Sequence, residues 1–128
     1  MQNIEIPPTN RTPTVEFEFD TGHLRLMGES YPEDVTTFYN PLFDALKEWL
    51  SSDANSYCRF DFKLIYFNSS SAKAIMMIMD KLDEAAGAGA VVDVHWFYDP
   101  EDETMQELGE EFGEDLESAL FHLEEMRR

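Results

Sequence analysis

Basic residues are scarce in this chain: nine Lys and Arg stand against 27 Asp and Glu, a formal net charge of −18. Phosphate backbones repel such a polyanion, and the longest basic run is the pair Arg127-Arg128. Nucleic-acid binding and docking on an anionic membrane are therefore disfavoured. The charge itself is accounted for by solubility or by a host with high internal salt, and more sharply by a partner with a basic face. Cysteine occurs once, as Cys58, which excludes an intramolecular disulfide and suits a reducing compartment. Beside Tyr57 and Arg59 at the start of a strand pattern, it reads as a half-buried structural thiol. No apolar run approaches the length of a membrane span. Met1-Gln2-Asn3-Ile4-Glu5 shows none of the basic-then-apolar pattern of a signal peptide. The expected location is cytoplasmic. Gly-x-x-x-x-Gly-Lys-Ser/Thr and Gly-x-Gly-x-x-Gly are both missing, so no nucleotide-binding loop is legible.

What is present is a globular composition: 128 residues, 43% hydrophobic and 13% aromatic, enough for one domain over 1–128 with a sizeable core. Residues 1–13 carry Pro7, Pro8 and Pro13 and little periodicity, and are expected to form an extended N-terminal arm. Val15, Phe17 and Phe19 alternate as one face of a strand, Asp20-Thr21-Gly22 is turn chemistry, and Leu24 and Leu26 resume the alternation, predicting a hairpin. Tyr31-Pro32-Glu33-Asp34 opens a helix: proline is tolerated in a first turn and the acids complement the dipole. Val35, Phe38, Tyr39, Leu42, Leu46, Trp49 and Leu50 then recur at helical spacing. Pro41 either kinks that helix or opens a second one capped by Asn40.

Tyr57 to Phe67 is predicted as a strand with Phe60, Phe62, Leu64 and Tyr66 on one face. Its last four residues are apolar on both faces, as for a strand covered on both sides. A helix over 71–86 follows, striped by Ala74, Ile75, Ile78, Met79 and Leu82 and ended by Gly87-Ala88-Gly89. Residues 90–97 form a further strand, and Met105, Leu108 and Phe112 mark the buried side of an acidic helix. Residues 118–124 fit a short edge strand or a final helix. The order is β-β-α-β-α-β-α, with a last β if 118–124 is a strand. The fold class is α/β, one mixed β-sheet with helices packed on it, including a right-handed parallel crossover.

Three chemistries compete for the remaining motifs. Ser69, Ser70 and Ser71 follow a strand, as a nucleophile would, but no Gly-x-Ser-x-Gly elbow accompanies them, and His95 in mid-strand reads as a packed, hydrogen-bonded imidazole. Asp99 to Glu117 holds ten carboxylates in nineteen residues. Acids fall at positions 1, 3, 5, 9 and 12 of a calcium-type loop, yet Thr104 stands where the sharp turn needs glycine, so the stretch reads as a solvated helix face with no metal. Asn68-Ser69-Ser70-Ser71 is the third. Asn and Ser are preferred N-caps. A hydroxyl at a strand-to-helix junction also projects at the carboxyl edge of the sheet, where α/β folds place their working sites. A phosphate there would meet free backbone N–H groups and the helix dipole, and would add charge and bulk to a docking surface.

The order of elements and this hydroxyl resemble the STAS-type anti-sigma-factor antagonists, a single STAS-like domain. A closer resemblance is to the SiaC family of bacterial biofilm-regulation phosphoproteins. It rests on Gly28-Glu29-Ser30-Tyr31-Pro32-Glu33, Leu64-Ile65-Tyr66-Phe67-Asn68-Ser69-Ser70-Ser71, His95-Trp96-Phe97-Tyr98-Asp99 and Glu110-Glu111-Phe112-Gly113-Glu114-Asp115, and runs from about Thr12 to Asp115. The resemblance implies a non-enzymatic partner switch without a cofactor. Such a protein is phosphorylated by a serine/threonine kinase, dephosphorylated by a PP2C-type phosphatase, and binds and activates a diguanylate cyclase when unphosphorylated. The implied acceptor is Ser69, with Ser70 and Ser71 as alternates. Asn68 would shape the turn, and Tyr31, Pro32 and Glu33 would line the same partner-binding surface or serve only to start the helix. The rival readings are a constitutive scaffold, an anti-sigma-factor antagonist and a serine hydrolase.

Overall fold

A computed structural model of the chain describes residues 1–52 and 57–126; the Arg127-Arg128 pair lies outside them. Six strands form one sheet in the order of the sequence, β1 (Ile4–Ile6), β2 (Thr14–Glu18), β3 (His23–Ser30), β4 (Tyr57–Phe67), β5 (Val91–Tyr98) and β6 (Leu120–Glu125). The first two pairings are antiparallel and the other three parallel. Helices α1 (Val35–Leu50), α2 (Ser69–Gly87) and α3 (Glu103–Glu114) make the crossovers between the parallel strands. Each crossover steps to the next strand in the same direction, so right-handed connections deliver all three helices to one face of the sheet. The result is two layers, and no helix among the described residues is long and apolar enough to cross a membrane.

The period-2 pattern places the core as expected. Val15, Phe17, Leu24, Leu26, Phe60, Phe62, Val94 and Trp96 are fully buried on the helix side. The helical stripes meet them with Leu42 and Leu46 from α1 and Ile75, Ile78 and Leu82 from α2. The opposite face is uncovered and carries cross-strand polar pairs: Arg25 with Glu16, His95 with Glu124, and His122 with Asp93. Asp61 is buried on that face beneath Arg59 and His23, each bonded to its carboxylate at 2.9 Å. Arg25 donates to His23 Nδ1 at 2.8 Å, which leaves Nε2–H as the donor to Asp61.

One expectation is refined, and two alternatives left open by the sequence are resolved. The arm is not wholly extended coil: Ile4 and Ile6 pair with Phe17 and Val15 as an edge strand, and Asn3 Oδ1 accepts the Phe19 N–H at 2.9 Å. A three-residue strand is too short to show periodicity in the sequence. The helix through Pro41 is single and continuous, capped by Asp34, whose side chain accepts from the Thr37 N–H. Pro41 lies on its exposed side, where water can satisfy the orphaned carbonyl. Residues 118–124 resolve in favour of a strand, β6, parallel to β5.

Strand β4 departs most. Its register with β3 passes from Gly28 opposite Leu64 to Glu29 opposite Tyr66, skipping Ile65. A bulge of one residue inverts the alternation beyond it. Phe67 therefore turns inward against Trp96 and Phe112, whereas Tyr66, expected inside, is 52% exposed. Ile65 is 62% exposed, so the end of β4 is apolar on both faces without being covered on both.

Candidate functional site

The site is assembled where β3 and β4 end side by side. Ser30 lies opposite Phe67, and its carbonyl accepts the Asn68 N–H at 3.2 Å. Asn68 is the N-cap of α2, with extended backbone. Its Oδ1 accepts the Ser71 N–H at 2.9 Å and its carbonyl accepts the Ala72 N–H at 2.9 Å. The first turn of α2 is thus bonded through Asn68 to β3, and the N–H groups of Ser69 and Ser70 keep no acceptor among the described residues.

The three serines are not equivalent. Ser69 and Ser70 are exposed at the helix tip, whereas Ser71 is fully buried. Ser71 Oγ accepts from Ser30 Oγ at 2.9 Å, and Ser30 Oγ is 2.5 Å from the Tyr39 hydroxyl. Because Ser30 has one proton and gives it to Ser71, the Tyr39 hydroxyl must donate to Ser30. Burial pushes the Tyr39 phenol up, which keeps it a donor, although its bonds with Ser30 and Ser71 oppose the shift. Ser71 is consequently a tie between α2, β3 and α1, and its hydroxyl is closed to a kinase in this conformation.

The expected neighbours of Asn68 are also placed. Tyr31, half-buried, donates its N–H to the Arg11 carbonyl at 2.7 Å and meets exposed Tyr66 edge-on with centroids 5.8 Å apart. Pro32 is half-buried beside it, and Glu33 is exposed and paired with Arg11 at 3.0 Å. The segment after β3 and the segment after β4 thus form one surface at the carboxyl edge. Ser30, Tyr39 and Arg11 belong to that arrangement and were not singled out by sequence reasoning. A buried Ser–Tyr–Ser relay has no spacing signature, since its members are 9 and 41 residues apart.

No histidine joins the serines. His23, His95 and His122 lie on the uncovered face of the sheet, bonded to Asp61, Glu124 and Asp93, while α2 lies on the other face. His95 and His122 stack with ring centroids 4.4 Å apart. Of the acidic stretch, Asp99 Oδ1 accepts the Glu101 N–H and Asp102 caps α3 by accepting from Met105. Cys58 is fully buried rather than half-buried, and burial, with the nearby Asp93 charge, pushes its thiol up to about 12. Such a group is inert at neutral pH. A groove of about 640 Å³ lies elsewhere, beside Met27, Lys63, Ile65 and Met126. The Asn68-Ser69-Ser70-Ser71 motif and the segment Tyr31–Glu33 converge at the junction, so the junction, not that groove, is the candidate site.

Comparison with known proteins agrees with this architecture. The family of SiaC family regulatory phosphoproteins matches residues 6–126. The chain belongs to the SiaC family. An uncharacterised protein of Pseudomonas aeruginosa is 37% identical over 115 residues, 90% of each chain. Apo-SiaC from Pseudomonas aeruginosa superposes with a TM-score of 0.88 at 35% identity, covering 97% of this chain and 99% of that one. SiaC in complex with the diguanylate cyclase SiaD, which it activates, superposes with a TM-score of 0.90 at 36% identity, covering 96% and 99%. The mixed sheet of six strands with three helices is therefore the SiaC architecture.

Proposed function

We propose that this protein is a phosphorylation-controlled partner switch that binds and activates a diguanylate cyclase when Ser69 is unmodified. A serine/threonine kinase would add the phosphate and a PP2C-type phosphatase would remove it. The observation that carries the reading is the exposed Ser69 hydroxyl directly after the Asn68 cap, in a family of regulatory phosphoproteins. The complex of the related SiaC with SiaD supports a cyclase as the partner.

The junction suits such a group physically. A phosphate brings about −1.5 to −2 charges and strong acceptor oxygens. The free N–H groups of the first turn and the helix dipole favour an anion there. The first turn of α2 carries no acid, and its cap is the neutral Asn68 where α1 and α3 use Asp34 and Asp102. The fold can thus hold the modification without repulsion, while an incoming partner meets new charge and bulk.

The test compares unmodified protein, Ser69→Ala and stoichiometrically phosphorylated protein for binding to the diguanylate cyclase of the same organism and for production of cyclic-di-GMP. The reading expects the first two to bind and stimulate the cyclase and the third to do neither. Equal binding by all three would leave Ser69 as a helix residue of a constitutive scaffold.

A further inference from the structure

The acids of this chain are unevenly placed. Residues 62–79, from the middle of β4 through the first half of α2, contain none of the 27, and neither do residues 35–43 of α1. These two stretches face each other where the N-terminal halves of α1 and α2 pack, and between them runs a groove of about 320 Å³. Val35 and Asn40 line it from α1, and Ser70, Lys73 and Met77 from α2. Met77 is 47% exposed there. On a molecule of charge −18, this is an acid-free groove beside Ser69, in which Val35, Ala74 and Met77 give an apolar strip among uncharged polar groups.

Lys73 supplies its charge. Arg11, Arg25, Arg59 and Lys81 each hold a carboxylate. Lys73 is exposed and has no carboxylate partner among the described residues. It stands close to the positive end of the α2 dipole, where a cation gains nothing from the helix. It also follows Ser69 by four residues, so both side chains lie on one face of α2, within reach of each other.

We infer that this α1–α2 surface is the docking face for the cyclase, taking a segment that presents an apolar side chain to the groove and a carboxylate to Lys73. Met77 adapts to such a segment without a preformed shape. The inference rests on the reading of Ser69 as the switch and specifies how that switch works. A phosphate on Ser69 claims Lys73 within the helix and turns the local charge from about +1 to about −1. The partner carboxylate then meets repulsion in place of a counter-ion. Exclusion is thereby electrostatic as well as steric.

Lys73→Ala, Lys73→Arg, Met77→Asp and a Lys47→Ala control would be titrated against the cyclase by calorimetry, and phosphorylated Ser69 would be followed by ³¹P NMR. Lys73→Ala and Met77→Asp should each weaken binding of the unmodified protein tenfold or more, with Lys73→Arg close to wild type and Lys47→Ala unchanged. The phosphoserine should titrate at a lower pH in the wild-type background than with Lys73→Ala, because the ammonium favours the dianion. If both groove variants bind like wild type while phosphorylation still abolishes binding, the docking face is elsewhere and the inference fails with the switch intact. Identical ³¹P titrations would remove the capture of Lys73. If phosphorylation leaves binding unchanged while Lys73→Ala weakens it, the surface stands and the switch reading fails.

Discussion

The hydroxyls of Ser30 and Ser71 meet at 2.9 Å beneath the first turn of α2, in a buried relay that begins at Tyr39. Adjacent serines in the sequence are thus divided by position: Ser71 is part of the frame, while Ser69 and Ser70 face the solvent. Phosphate incorporation should survive Ser71→Ala and disappear with Ser69→Ala, as read by mass spectrometry of kinase-treated protein. Ser71→Ala leaves the buried Ser30 hydroxyl without its acceptor, so it should lower stability by about 1–3 kcal/mol in urea unfolding. Ser69→Ala should change stability by under about 0.5 kcal/mol. A reversed pattern would move the acceptor into the frame and contradict this division.

Helix α3 approaches the sheet through glycine. A Cβ at Gly109 would stand 2.4 Å from Trp96 Cδ1 and 2.9 Å from Leu123 Cδ1, and one at Gly113 would stand 2.5 Å from the Phe121 ring. Gly109→Ala should therefore destabilise by about 1–3 kcal/mol, although alanine is the better helix former by about 1 kcal/mol. Urea unfolding with Trp fluorescence measures the loss directly. A stability gain would mean that α3 stands farther from Trp96.

Acid should weaken the fold through two carboxylates. Burial pushes Asp61 up, but bonds from Arg59 and His23 outweigh it and hold the group below its ordinary value. Burial likewise opposes the shift at Asp83, which falls because the N–H groups of Ala119, Ser118 and Glu117 bond its carboxylate. Depressed folded-state values mean that their stabilisation is fully present above the unfolded carboxylate value of about 3.9 and is lost as the pH falls through the folded values. Asp83→Asn keeps an acceptor for the 117–119 turn and removes the titration. It should flatten the decline in thermal midpoint below about pH 4 relative to wild type. An unchanged slope would show that Asp83 does not carry this linkage.

The elements and their buried faces were largely legible, because the patterns are local. Val15-Glu16-Phe17 alternates, Ile75, Ile78, Met79 and Leu82 recur at helical spacing, and both signals follow directly from where successive side chains point. Two short features escaped, β1 and the phase of β4 after Leu64. The first is three residues long; the second depends on a register skip opposite Gly28 and Glu29, residues that lie far away in the chain. The candidate site was legible as the motif Asn68-Ser69-Ser70-Ser71, since capping is a local interaction. The difference between its serines was not, for it depends on which hydroxyl meets Ser30 and Tyr39.

The sequence by itself determined the strands and helices that organise the core, the cap that starts α2, the acid-free stretches and the family to which the motifs belong. These follow from residue order, composition and interactions within a few positions. The tertiary structure alone decided that all three helices share one face, that Tyr66 turns out and Phe67 in, and that Ser71 is inside while Ser69 is not. It also brought Val35, Ser70, Lys73 and Met77 to one groove beside Ser69. Each of these is a matter of register or packing between distant segments, and local chain chemistry carries no information about which neighbour will be met.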